Sequence, residues 1–235
     1  MEYRPDKLLC VVAHPDDVEV TIGATIAKWA SQGTEISLLV CTDGCKGTKD
    51  VGHAGKETAH LRAKEEMKAS RILGISCWHQ LGYADGELQV NDQLRSDIAQ
   101  CIRAHKPDAV FTMDPSFYYS VKWSYVNHRD HRAVGEATLD AVYPMARDAA
   151  ALPELLDSGY EPHGVKTLLM SHFEKENYMI NVTDFLETKF EALRAHPSQF
   201  GDATGVIDFV TRRAIEDGRE INVAKAEGFV KIEVF

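Results

Sequence analysis

The stretch KLLCVVAHPDD, residues 7–17, decides how this chain folds. Lys7 is followed by an unbroken apolar run to Ala13 that stops abruptly at His14-Pro15. That is the pattern of a strand buried on both faces, because a half-exposed strand would alternate apolar and polar residues. Moving outward, residues 19–31 place Ile22, Ile26, Trp29 and Ala30 at helical spacing and end at Gly33, and the β-rich run 34–41 follows. Strand, helix and strand in that order make one βαβ unit.

The alternation continues along the chain. Residues 57–73 predict a helix ending at Gly74, and 75–80 a short strand. Residues 91–105 predict a helix with Leu94, Ile98 and Ile102 on one face, and 108–113 a strand entered after Pro107. Beyond an aromatic loop, 129–147 reads as a helix, 166–172 as a strand, and 182–195 and 206–216 as two further helices. This order predicts an α/β, Rossmann-like fold, a mostly parallel sheet with helices on both faces, built as one domain over residues 1–235. In such sheets ligands sit beyond the carboxyl ends of the strands, which directs attention to 14–17, 42–44 and 114–131.

Composition narrows the function. With 44% hydrophobic and 26% charged residues the chain can build a sizeable core, which excludes the disordered classes. Against 36 Asp+Glu stand 26 Lys+Arg, and the net charge of -10 would repel a phosphate backbone. Nucleic acid is therefore not an expected partner, and a small neutral or cationic substrate fits better. The five cysteines form no CxxC pair and are odd in number, so buried free thiols are expected rather than a disulfide framework. No basic segment leads into an apolar one at the start, and no run approaches the ~20 apolar residues of a membrane span, so a cytoplasmic protein is expected.

Two clusters carry the chemistry. In His14-Pro15-Asp16-Asp17 a histidine and a carboxylate three apart can reach one metal ion, with Asp16 beside it. Either aspartate could instead cap the following helix, but capping alone leaves the adjacent His, Pro and second Asp unexplained. In Asn127-His128-Arg129-Asp130-His131 the histidines share a helical face, so one can bind metal while the other faces substrate and Asp130 orients a ring. A polar first helical turn explains that cluster equally well. Together the clusters supply two histidines and one aspartate for a metal, with one aspartate and one histidine to spare. An open Zn²⁺ site of this kind lowers the pKa of a bound water toward ~7 and polarises a carbonyl, which hydrolysis of an unactivated amide requires.

With these residues the chain resembles the LmbE-like, or PIG-L, zinc-dependent N-acetylglucosaminyl deacetylases. The resemblance spans nearly the whole chain, through AHPDD at 13–17, TDG at 42–44, Arg62-x-x-Glu65, Tyr83-x-Asp85-Gly86, HRDH at 128–131 and KFEALRAHPSQ at 189–199. It implies that His14, Asp17 and His131 hold Zn²⁺, that Asp16 is the general base activating a metal-bound water, and that His128 is the oxyanion partner. Asp130 would keep His128 oriented and charged, Arg62 would face the substrate, and Glu65 would brace Arg62. It further implies a hydrolase removing an N-acetyl group from an N-acetylglucosamine-type conjugate, assembled as a homo-oligomer. The mixed His₂Asp set would also accept Fe²⁺, Co²⁺ or Ni²⁺. Two departures stand out: Cys45 follows Gly44 where many relatives carry Glu, and Val126 stands where some carry Tyr, the adjacent Tyr125 being expected to point elsewhere.

Phe117, Tyr118, Tyr119, Trp123 and Tyr125 crowd a loop that reads equally as a substrate wall or a subunit contact. The glycine-rich run 44–55 lacks phosphate-binding spacings and reads as a lid. His53, His60, His79, His105, His163, His172 and His196 show no partner at ligand spacing. Two alternatives stand beside the deacetylase: an amidase cutting a larger acyl group from an amino-sugar conjugate, and a non-catalytic Rossmann-like binding module.

Overall fold

The computed structural model describes residues 2–48 and 54–234, so His53 and part of the run 44–55 read as a lid lie outside the described residues. The chain runs β1 (Lys7–Val12), α1 (Asp17–Thr21), α2 (Gly23–Ser31), β2 (Glu35–Thr42), α3 (Lys56–Leu73), β3 (Cys77–Tyr83), α4 (Asp92–His105) and β4 (Ala109–Met113). A small hairpin of β5 (Tyr119–Ser120) and β6 (Tyr125–Val126) precedes α5 (Arg129–Asp140) and α6 (Pro153–Asp157). There follow β7 (Thr167–Ser171), β8 (Tyr178–Asn181), α7 (Leu186–Leu193), α8 (Pro197–Phe200), α9 (Thr204–Glu220) and β9 (Ala226–Glu233).

The main sheet has seven strands in the order β3-β2-β1-β4-β7-β9-β8. The first five are parallel, as the apolar runs predict, while β9 pairs antiparallel with both β7 and β8. From β1 the chain moves outward through β2 to β3 and then crosses back to β4. The direction of strand order thus reverses between β1 and β4, and a crevice opens beyond their carboxyl ends. All of Leu8 to Val12 is buried, because α2, α3 and α7 pack together as one helical layer and α4 with α5 as the other. Among the described residues no helix is long and apolar enough to cross a membrane.

Several elements differ from the sequence reading. The helix expected over 19–31 is two helices, α1 and α2, broken at Ile22. Ala24 and Thr25 N–H donate to the Glu227 carboxylate at 3.2 and 2.8 Å, and Lys189 donates to Val20 O at 3.0 Å while pairing with Glu227 at 2.6 Å. A buried ion pair therefore satisfies the backbone groups that the break releases. The helix expected over 129–147 is α-helical only to Asp140, after which 141–146 form a wider π turn containing Pro144. Tyr143 is extended there, as a residue before proline prefers. The buried Arg103 collects the loosened carbonyls of Met145, Ala146, Asp148, Leu152 and Tyr160 at 2.8 to 3.3 Å. Finally, β8 and β9 were not foreseen. Glu227 and Gly228 interrupt the apolar run of β9, and at Gly228 a Cβ would stand 2.7 Å from Met179 Sδ, so a larger residue would displace that side chain.

Candidate active site

The turn after β1 is built around strain. Asp16 has φ 103, a left-handed conformation that costs a non-glycine residue about 1–3 kcal/mol. Its N–H donates to the Glu66 carboxylate at 3.0 Å and its carboxylate accepts from Arg62 Nη2 at 3.0 Å, so two residues of α3 hold it in place. Asp17 accepts from the N–H groups of Ala13 and His14 at 3.1 and 2.8 Å, which fixes its carboxylate under the end of β1.

His131, from the first turn of α5, completes a triangle. Its Nε2 lies 3.3 Å from His14 Nδ1 and 3.1 Å from Asp17 Oδ1, and His14 Nδ1 lies 3.7 Å from Asp17 Oδ2. An ion with bonds of about 2.0–2.1 Å to tetrahedral ligands separates them by about 3.3–3.4 Å, so the donor set fits a metal of that size. Donor atoms also converge in His14–His128–His131 and in His14–Asp85–Asp130. The second of these faces the other nitrogen of His14: Nε2 lies 3.3 Å from both Asp130 Oδ2 and Asp85 Oδ1. Carboxylates placed there keep the proton on Nε2 and leave the Nδ1 lone pair directed at Asp17 and His131. Burial opposes a charge on His14, but Asp130, Asp17 and Asp85 outweigh it and raise its pKa well above the usual value.

Asp130 is occupied differently from the sequence expectation. Its carboxylate accepts from Gly86 and Leu88 N–H at 2.7 and 3.2 Å and faces His14, not His128. Its backbone N–H donates to His128 Nδ1 at 3.2 Å. That nitrogen must carry a lone pair, so His128 is a neutral ring with Nε2–H as its donor. Burial, with His14 and His131 nearby, pulls the His128 pKa down, in the direction opposite to a permanently charged ring. Tyr125 also departs from expectation. In β6 it turns inward while Val126 turns out, its ring packs 4.4 Å from Phe173, and its hydroxyl meets His131 Nδ1 at 3.1 Å.

Arg62 is only 3% exposed. It donates to Gly44 O at 3.0 Å, Pro15 O at 2.7 Å and Asp16, all protein groups. Gly44 has φ +63 and a Cβ there would lie 2.9 Å from Arg62 Nη1, so the glycine of the TDG turn is what lets the guanidinium seat. Glu65 does not brace Arg62; it accepts from Ser198 N–H and Oγ and fixes the turn of the HPSQ run. Asp85, to which sequence reasoning gave no role, links His14 to the backbone N–H of Lys46, and these partners overcome its burial and lower its pKa to about 2. For Asp16, burial outweighs Arg62 and, with Asp17 beside it, lifts the carboxyl to about 6. All seven anticipated residues (His14, Asp16, Asp17, Arg62, His128, Asp130 and His131) thus gather at one place. All except Asp130 line a cleft of about 530 Å³ at the carboxyl ends of β1 and β4.

Behind Asp16 lies a cluster of which the family resemblance suggested only one member near the site, His196 of the HPSQ run. Glu19, Glu66 and His196 are fully buried, with His196 Nε2 3.7 Å from Glu19 Oε2 and 4.0 Å from Glu66 Oε2. Lone carboxylates at helical positions read as solvated surface in a sequence; only the fold shows that these point inward.

The chain is similar to several known proteins. The diacetylchitobiose deacetylase of Thermococcus kodakarensis is 35% identical over 198 residues, covering 83% of this chain and 70% of the relative. A protein of Bacillus anthracis described as a probable N-acetyl-alpha-D-glucosaminyl L-malate deacetylase 2 is 29% identical over 90% of this chain and 87% of its own length. The solved structure of N,N'-diacetylchitobiose deacetylase from Pyrococcus horikoshii superposes with a TM-score of 0.90 at 33% identity, over 97% of this chain and 84% of that one. The family model for GlcNAc-PI de-N-acetylase, PIG-L, matches residues 9–142, the segment from β1 to the end of α5 that supplies the strained turn, Arg62, Asp85 and both histidines of the late cluster. By sequence, by fold and by where its converging side chains fall, the chain belongs to the PIG-L family.

Proposed function

We propose that the protein is a metal-dependent N-deacetylase that hydrolyses the acetamide of a small N-acetylglucosamine-type conjugate. The observation that carries this reading is the triangle of His14 Nδ1, Asp17 and His131 Nε2 with Asp16 and His128 as neighbours in one cleft. These three residues would hold Zn²⁺, which when bound supplies a Lewis acid for the amide carbonyl and acidifies a water. Asp16, with a carboxyl poised near neutrality, takes the proton of the attacking water and returns it to the departing amine. His128 offers Nε2–H to the oxygen on which negative charge develops. Asp130 and Asp85 fix the tautomer of His14, Tyr125 that of His131, and Arg62 acts on the reaction through Asp16 rather than by gripping the sugar.

One observation favours a second reading, cleavage of a longer acyl group. An apolar annex of about 160 Å³, walled by Met113, Phe117, Phe173, Phe200 and Phe209, opens on Asp16, Asp17 and His131. A homo-oligomer is also proposed, through the outer side of the aromatic loop, where Tyr118, Tyr119 and Val121 are 67–79% exposed.

The test measures metal content and acetate release from diacetylchitobiose and from N-acetylglucosaminyl conjugates. Wild type should hold one catalytic metal per chain and release acetate. His14→Ala should lose both properties, and Asp16→Asn should keep the metal while kcat falls about 10²–10⁴-fold. Extending the acyl chain beyond acetyl separates the two readings. Metal-loaded wild type inactive on every acyl sugar would reject both.

A further inference from the structure

A second group of metal-binding side chains lies away from this cleft. Cys77 and His79 are two apart on β3 and so share one face of that strand. β3 is the outermost strand of the parallel end of the sheet. His105 is the last residue of α4, directly before Lys106, whose φ of 51 terminates the helix. Cys77 Sγ lies 3.1 Å from His79 Nε2, which in turn lies 3.1 Å from His105 Nε2, and all three donor atoms fall within 4.8 Å of one another.

We propose that Cys77, His79 and His105 form a second metal site, for a borderline or soft transition-metal ion such as Zn²⁺, that ties the edge strand β3 to the end of α4. One thiolate and two imidazoles suit Zn²⁺, Co²⁺ or copper and disfavour Mg²⁺ and Ca²⁺, which take oxygen ligands. Bonds of about 2.0–2.1 Å to nitrogen and about 2.3 Å to sulfur require ligand separations of about 3.3–3.6 Å, so the observed contacts need to open by only a few tenths of an ångström. The outer contact is in place as well. His105 Nδ1 lies 3.0 Å from Ser37 Oγ, and with Nδ1–H donating to that hydroxyl the Nε2 lone pair is left for the ion. A groove of about 300 Å³ beside His79 and His105, also lined by Asp97 and Cys101, leaves room for a fourth ligand. Binding converts the Cys77 thiol to thiolate, and its proton goes to solvent.

The site is separate from the catalytic cleft. Cys77 is paired with Ser37 and His79 with Leu39, within the first five of the eight residues of β2, whereas His14 follows the carboxyl end of β1. The sequence hid it because Cys77 and His105 are 28 positions apart and β3 and α4 each look ordinary alone.

Cobalt substitution tests the proposal, because a thiolate–cobalt charge-transfer band reports Cys77 and cannot arise from the His14–Asp17–His131 set. Metal-free wild type titrated with Co²⁺ should take up two equivalents and show the band. Cys77→Ser should take up one, lack the band and release acetate at the wild-type rate when loaded with its catalytic metal. His79→Ala should behave likewise, and His14→Ala should keep the band. Absence of the band from wild type, or its survival in Cys77→Ser, overturns the proposal.

Discussion

Asp16 keeps its strained backbone because Glu66 and Arg62 grip it from α3, and Glu66 is itself buried against Glu19 and His196. Burial and the neighbouring Glu19 raise the Glu66 carboxyl from an ordinary 4.5 to about 8. Burial alone would lower the His196 pKa, but Glu19 and Glu66 overcome it and lift it from 6.5 to about 9. Both groups bind protons more tightly in the folded protein. Their stabilisation is complete below the ordinary values and is lost as pH rises through about 8 and about 9. The urea midpoint of wild type should therefore fall as pH rises from about 4.5 to about 9 and level off above it, and Glu66→Gln, which keeps an acceptor for Asp16 N–H, should flatten the part below about 8. An identical slope in the variant would remove this account. The legible part of the site at this scale is His14, Asp16, Asp17, His128 and His131, whose residue types cluster directly after a strand or at a helix start. Glu66 and Tyr125 were illegible, and Asp85 stood in a motif without a role, because each is a single ordinary side chain whose direction is set by elements distant in sequence.

At the scale of elements, continuous apolar runs were enough to place β1, β2, β4 and β7 and their parallel pairing, since burial on both faces leaves no alternation to misread. The breaks were not readable. Helical periodicity continues through Ile22 and past Asp140, and what ends each helix is a partner from elsewhere: Glu227 and Lys189 in one case, Arg103 in the other. Arg103 holds five carbonyls, so Arg103→Met should leave several of them buried and unpaired. A loss of about 3 kcal/mol or more is expected, read as a fall of roughly 6–12 °C in the melting midpoint. Acetate release should persist at low temperature, because the π turn lies on the side of α5 remote from His128 and His131 in sequence.

For the molecule as a whole, the alternation of strands and helices pointed to the carboxyl ends of the strands, where the cleft lies, but not to the strand order that puts the switch point between β1 and β4; composition alone could not specify the outer surface. The exposed Tyr118, Tyr119 and Val121 make the oligomer proposal testable there. Tyr119→Lys combined with Val121→Lys should shift sedimentation from oligomer to monomer at micromolar concentration, and a wild type that is monomeric throughout would end the idea. The antiparallel insertion of β9 beside β7 has a consequence in time. Glu227 from that strand caps α2 and anchors Lys189 against α1, the short helix whose first residue is Asp17. A chain leaving the ribosome makes the AHPDD turn early, yet roughly 200 more residues, about 10–40 s at about 5–20 residues per second, must emerge before the residue that secures it exists. The nascent protein therefore carries its metal-binding signature long before it can hold the shape that signature needs, and competence arrives only with the last strand.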